Sequence, residues 1–193
     1  MDWGFETSRL RARLVDDRDQ ALYRMLYTSA DVMAHIGPPF TQADADDLHR
    51  KVCGWNSEIP MRARYWRLAT RDTDETIGMQ SILRVDPETR SVELGLMILP
   101  AHQKMKYGFE VTAGILDRLF GVGWALDLDE VVARHLPQNA RISKLGNSLG
   151  FDSCDLPGPS ADGLRMRREV WKSMRARVGT EGASEHDQYG KTT

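Results

Sequence analysis

The hydrophobic period of this chain changes at Pro100, and that change constrains the fold more than any other feature. Before it lie three apolar-rich segments, 65–70, 77–85 and 91–99, separated by Asp72-Thr73-Asp74-Glu75 and Asp86-Pro87-Glu88-Thr89. Connections this short and rich in turn residues join neighbouring strands as antiparallel hairpins. After Pro100, Phe109, Ala113, Leu116 and Phe120 recur at helical spacing. A β-branched segment at 130–135 reads as a strand. Residues 139–150 read as a helix with Ile142, Leu145 and Leu149 on one face and Gly150 where a C-cap wants glycine. Residues 164–171 alternate as a last strand would.

Upstream, 10–15 alternates as a half-exposed strand. Asp16-Asp17-Arg18-Asp19 then opens a helix in which Leu22, Met25, Leu26 and Met33 can share a face. Gly37-Pro38-Pro39 must break it, because proline fixes φ and lacks an N–H. Thr41 is placed to cap a second helix that runs to about Trp55 with Leu48 and Val52 inward. Residues 180–193 are polar and aperiodic, and are expected to form a disordered tail. The order of elements predicts one α/β (α+β) domain over 1–179, with a central, mostly antiparallel mixed sheet flanked by helices.

Composition narrows the function. At 193 residues with 41% hydrophobic and 28% charged, the chain suits one globule with a proper core. A net charge of -2 gives no global field to recruit DNA or an anionic membrane. Cys53 and Cys154 have no metal-type spacing to a histidine, so no metal is expected and both are read as free thiols. The first residues include an early acid and no apolar run, and no stretch approaches the ~20 apolar residues of a membrane helix. The expected compartment is the cytoplasm.

The chemistry concentrates between Ser91 and Phe151. A strand that is apolar apart from Glu93 runs straight into a basic loop and a helix start, Gln103-Lys104-Met105-Lys106-Tyr107-Gly108. Free amides at a helix N-terminus beside two lysines suit an anion such as a pyrophosphate. A carboxylate taken out of water holds a proton more tightly, which makes Glu93 the best candidate base. His135 ends a strand nearby and is the next candidate, and Asn139 heads a helix it can cap.

These stretches resemble the GNAT superfamily of N-acyltransferases, particularly its ribosomal-protein-alanine acetyltransferase (RimJ/RimL-like) branch. The resemblance runs from about Ser8 to Phe151. Val92-Glu93-Leu94-Gly95 with Leu99-Pro100-Ala101 is similar to that branch's fourth strand and its exit. Gln103 and Gly108 fall at the outer positions of the family's phosphate loop, and Glu110 stands where the branch has Glu. Pro137-Gln138-Asn139 and Leu149-Gly150-Phe151 bracket a helix like the family's, and Ile36-Gly37-Pro38-Pro39-Phe40 and Arg84-Val85-Asp86-Pro87 are also similar. Three positions depart. Lys106 replaces the loop's central glycine, Ile142 stands where serine is usual with Ser143 beside it, and Gly146 occupies the place of a tyrosine proton donor.

The resemblance implies a GNAT fold whose sheet splays between its fourth and fifth strands, after Leu96-Met97. It implies acetyl-CoA or another acyl-CoA as co-substrate, attacked directly by an amine in a ternary complex. Leu96, Met97, Ile98, Asn139 and Ser143 would hold the pantetheine arm, and Gln103, Lys104, Met105, Lys106, Tyr107 and Gly108 the pyrophosphate. Glu93 or His135 would take the proton from a small-molecule or peptide amine. A carrier-protein thioester or aminoacyl-tRNA donor, read by Lys104 and Lys106, stays open. So do a groove that binds without turnover and a state of monomer or homodimer.

Overall fold

The computed structural model describes residues 2–121, 124, 126–157 and 162–186. In chain order the elements are β1 (Phe5–Glu6), β2 (Leu10–Leu14), α1 (Gln20–Tyr27), α2 (Ala30–Met33), α3 (Gln42–Trp55), β3 (Arg64–Thr70), β4 (Thr76–Asp86), β5 (Ser91–Ile98), α4 (Tyr107–Phe120), β6 (Glu130–Arg134), α5 (Ala140–Ser148), β7 (Asp152–Asp155), β8 (Asp162–Arg167) and α6 (Arg168–His186). The strands form one sheet ordered β1-β2-β3-β4-β5-β6-β8-β7. Every neighbouring pair is antiparallel except β5 with β6.

Local chemistry sets the boundaries. Asp16 accepts the Arg18 N–H in a reciprocal capping box with Asp19, and Thr41 accepts from the Asp44 N–H at the head of α3. Asn139 caps α5 through the Ile142 N–H, and Gly150 ends it with φ +78°, a conformation that side chains resist.

Two cores flank the sheet. On one face Trp66, Leu68, Ile82, Val92 and Leu94 pack with Val111, Ile115 and Leu116 of α4. On the other, Tyr65, Met79 and Met97 pack with Leu22, Tyr23 and Leu26 of α1 and Val52 of α3. Successive residues of β5 therefore serve different cores, as strand alternation requires.

Several expectations need correction. Met25 is 48% exposed while Leu22 and Leu26 are buried, because so short a helix turns only one side to α3. On α4 the buried face is Val111, Thr112, Ile115, Leu116 and Leu119, and Phe109 is 42% exposed. The helix is covered by the sheet and by α5 and α6, so its apolar band is wider than one stripe and offset from the one read. The last strand is 162–167 rather than 164–171: beyond Arg167, Val170, Trp171 and Met174 pack at helical spacing, and the Trp171 Nε1–H donates to Asp117 at 3.0 Å. Helix α6 continues to His186 and so overlaps the segment read as a tail; residues 187–193 lie outside the described residues. The short strands β1 and β7 were not anticipated, since neither is long enough to show a period.

Candidate active site

Strands β5 and β6 pair at Ser91↔Glu130, Val92↔Val131 and Glu93↔Val132, and then part. The splay thus opens after Glu93, three residues before the expected point at Leu96-Met97. On its other edge β5 stays paired to β4 as far as Ile98. Leu99 N–H donates to Ile77 O of β4 at 2.9 Å, so alternation turns the N–H groups of Leu96 and Ile98 away from β4 and into the gap. Met97 points the other way. Its amide faces β4 and its side chain fills the α1–α3 core.

A cavity of about 260 Å³ occupies this gap and reaches both faces of the sheet. On the α1–α3 side it is lined by Tyr27, His35, Tyr65, Met79 and Glu93, and on the α4–α5 side by Leu94, Leu96, Ile142, Leu145 and Leu149. Arg134, His135 and Asn139 close it from β6 and the head of α5. Burial pushes the phenols of Tyr65 and Tyr27 upward, so both keep their protons throughout the neutral range. Gly146 packs against β8 so tightly that a Cβ would lie 2.5 Å from Leu164 Cδ1. A tyrosine there would require the buried Leu164 side chain to move.

Glu93 is 8% exposed and is not a lone carboxylate. Arg84 of β4 bonds it directly, and Arg134 Nε lies 3.7 Å from its Oε2. His135 is half-buried, with Nδ1 3.0 Å from Leu136 O. A carbonyl only accepts, so Nδ1 carries the hydrogen and Nε2 is left as the acceptor of the neutral ring.

The basic loop lies past the gap, at the start of α4. Lys104 and Lys106 have φ +70° and +62°, so a lysine stands in the left-handed conformation at the loop's central position. A non-glycine residue there costs roughly 1–2 kcal/mol. No side chain caps α4, and both lysines are exposed with no acidic partner among the described residues. The uncapped amides of the helix and two exposed lysines therefore lie within one short segment, a combination that fits a pyrophosphate. Gly108 backs this turn against Leu96, whose Cδ2 would lie 3.3 Å from an added Cβ.

The network behind the loop was not legible in the sequence. Glu110 accepts from Thr7 Oγ1 at 2.5 Å, Ser8 Oγ at 3.1 Å, Arg9 N at 2.8 Å and Arg9 Nε at 2.6 Å. Burial alone would raise its carboxyl, but the bonds from Thr7, Arg9 and Ser8 outweigh it and hold Glu110 below the usual carboxylate range. Arg9 in turn donates to Met105 O at 3.1 Å and sits 4.6 Å over the Tyr107 ring. Gln103 donates to Ile98 O at 3.1 Å and accepts from Arg141 of α5.

The structure thus brings Glu93, Leu96, Met97, His135 and Asn139 to one cavity. Gln103, Lys104, Met105, Lys106, Tyr107 and Gly108 form the loop beyond it. Ser143 instead lines a second cavity, of about 380 Å³, with Pro137, Asn147 and Cys154. Arg84 could be read from the sequence as a possible partner of Glu93, whereas Arg134 of β6 and Arg141 of α5 could not, because only their distances across the site set them apart.

A family model described as an acetyltransferase (GNAT) domain matches residues 9–152. A relative from Bacillus licheniformis, described as an uncharacterized N-acetyltransferase p20, is 25% identical over 147 residues, covering 75% of this chain and 80% of its own. Among solved structures, a spermidine N-acetyltransferase from Vibrio cholerae, in complex with CoA and spermine, superposes with a TM-score of 0.69 at 18% identity, over 85% of this chain and 98% of that one. RimL, a ribosomal L7/L12 alpha-N-protein acetyltransferase in complex with coenzyme A, gives a TM-score of 0.71 at 12% identity, over 85% and 97%.

Proposed function

The chain belongs to the GNAT acetyltransferase family, and from that premise we propose that it transfers an acyl group, most simply acetyl, from a coenzyme A thioester to an amine by direct attack. The observation that carries this reading is the cavity that opens through the sheet after Glu93 and Val132. A donor and an acceptor approaching from opposite faces meet there without a covalent enzyme intermediate. RimL among the structural neighbours is in keeping with the ribosomal-protein acetyltransferase branch that the motifs resemble.

The acyl-coenzyme A is a substrate, and the residues present fit it. The uncapped start of α4 with Lys104 and Lys106 would receive the pyrophosphate, and the gap-facing amides of Leu96 and Ile98 the pantetheine arm, with Asn139 opposite. One of those amides would bond the thioester oxygen, where negative charge grows as the amine attacks. Glu93, released from Arg84, would take a proton from the acceptor ammonium. The amine nitrogen then forms a bond to the thioester carbon, the carbon–sulfur bond breaks, and sulfur leaves with the electron pair. The second proton lost by nitrogen ends on that thiolate, and Tyr65 or Tyr27 can relay it. Ser143, in the separate cavity, has no part in this scheme.

Calorimetry with acetyl-CoA tests the donor, and release of free thiol on adding an amine tests the transfer. Tight coenzyme binding with acceptor-dependent thiol release is expected. Absence of any coenzyme binding would overturn the reading.

A further inference from the structure

The side chains around Glu93 define what kind of amine the site takes. Arg84 reaches Glu93 only through a distortion. Leu83 is the cross-strand partner of Glu93, so simple alternation would send Arg84 to the opposite face. The register breaks between Leu83 and Asp86, and Arg84 adopts φ +46°, a conformation L residues avoid. The bulge turns its guanidinium back onto the carboxylate.

Arg134 approaches from β6 with a different balance. Its side chain is only 24% exposed and lines the cavity, and its one acidic neighbour, Glu93, is 3.7 Å away, beyond hydrogen-bond reach. It donates no hydrogen bond to any described residue. A guanidinium carries five N–H donors in a planar fork, and those of Arg134 border the cavity with no acceptor among the described residues. Among the described residues Glu93 is the only carboxylate lining the cavity, and it is already held by Arg84. The wall beside the pair is mostly apolar and aromatic, with Tyr27, Ile36, Tyr65, Met79 and Met97, and His35 and Ser81 are its polar members.

We propose, resting on the acyltransferase reading above, that the acceptor is an α-amino acid with an apolar side chain. Its carboxylate forks onto Arg134, with Arg84 free to join, and its ammonium takes the place of Arg84 on Glu93. The exchange leaves no buried charge unpaired, which is the condition for burying charges at all. The same exchange frees Glu93 to act as base at the nitrogen that attacks the thioester. A polyamine would bring positive charge against Arg134 and offer its fork nothing.

The test is competition. The protein is incubated with acetyl-CoA and an equimolar pool of the proteinogenic amino acids, their C-terminal amides and spermidine, and products are read by mass spectrometry. N-acetyl derivatives of apolar amino acids should exceed those of the matched amides by at least about tenfold, as loss of a charge-assisted bond to Arg134 implies. In R134Q that preference should fall to within about threefold of unity, and R134K should recover part of it, because lysine restores charge without the fork. Should R134Q not fold, as judged by its melting curve, R134K carries the comparison. Acetylation of amides or spermidine equal to that of the acids, acetylation of polar amino acids alone, or no acetylated amino acid at all would each overturn the inference. Coenzyme calorimetry on the same samples separates the two levels. If coenzyme does not bind, the acyltransferase reading has failed; if it binds and the wrong acceptor reacts, only the acceptor assignment has.

Discussion

The proposed acceptor and donor ends of the site hold charge in opposite ways. At the acceptor end Glu93 is buried and fixed between Arg84 and Arg134, each on a different strand. At the donor end Lys104 and Lys106 stand exposed and unpaired among the described residues, on a loop whose shape is set by left-handed backbone and by Glu110 behind it. A buried carboxylate is screened less by salt than exposed lysines are, even though the Arg84 side chain that holds it is itself exposed. The first end should therefore decide which acceptor reacts, and the second how strongly the donor is held.

The largest effect is expected at the acceptor end. Glu93→Gln keeps the shape of the side chain but removes the proton acceptor, and general-base catalysis contributes about 10²–10⁴-fold. Turnover should fall by about that factor, with little change in coenzyme affinity. A variant that turns over normally would make Glu93 a structural strand carboxylate and move the test to His135. The comparison breaks if this substitution weakens the coenzyme instead.

Replacing Lys104 and Lys106 together with alanine should weaken coenzyme A by about tenfold or more, since charge-assisted bonds are worth ~1.5–3 kcal/mol each. The salt dependence of binding should flatten as well. Calorimetry at two ionic strengths reads both effects, and unchanged affinity would remove the loop from the donor site.

Glu110 tests what holds the loop in place. Because its folded-state carboxyl is held low, its contribution is present above the pKa of an unfolded glutamate, near about 4.3, and is lost as pH falls through the lower folded value. Glu110→Gln should cost about 1–2 kcal/mol at neutral pH, a modest loss for bonds to a charged group. The gap between wild type and variant should close as the solution is acidified below about pH 4. A gap that persists in acid would mean that shape, not charge, ties Thr7, Ser8 and Arg9 to α4.

The smallest effect is expected from Lys106→Gly. Glycine relieves the left-handed penalty of roughly 1–2 kcal/mol but adds freedom to the unfolded chain, so the net gain should be under about 1 kcal/mol. The melting temperature should rise by about 1–3 °C. A fall instead would show that the Lys106 side chain makes stabilising contacts, and the contrast between an unpaired and a paired end would weaken.

What the sequence determined by itself is local. Turn-rich breaks at 72–75 and 86–89 made the hairpins legible, because short connections leave strands no other way to pair. Thr41, Asn139 and Gly150 marked helix ends, because capping is satisfied within a few residues. The motif residues from Val92 to Phe151 carried the family, which the match over 9–152 bears out. Only the tertiary structure decided where the sheet opens, since a strand reads the same whether or not its second edge is paired. It also decided the company Glu93 keeps. Arg84 arrives through a bulge and Arg134 from a strand some forty positions further along the chain, and no period or motif encodes a distance of 3.7 Å. Periodicity records which face a residue turns to the core, whereas the chemistry of this site depends on which side chains from distant segments meet across the gap.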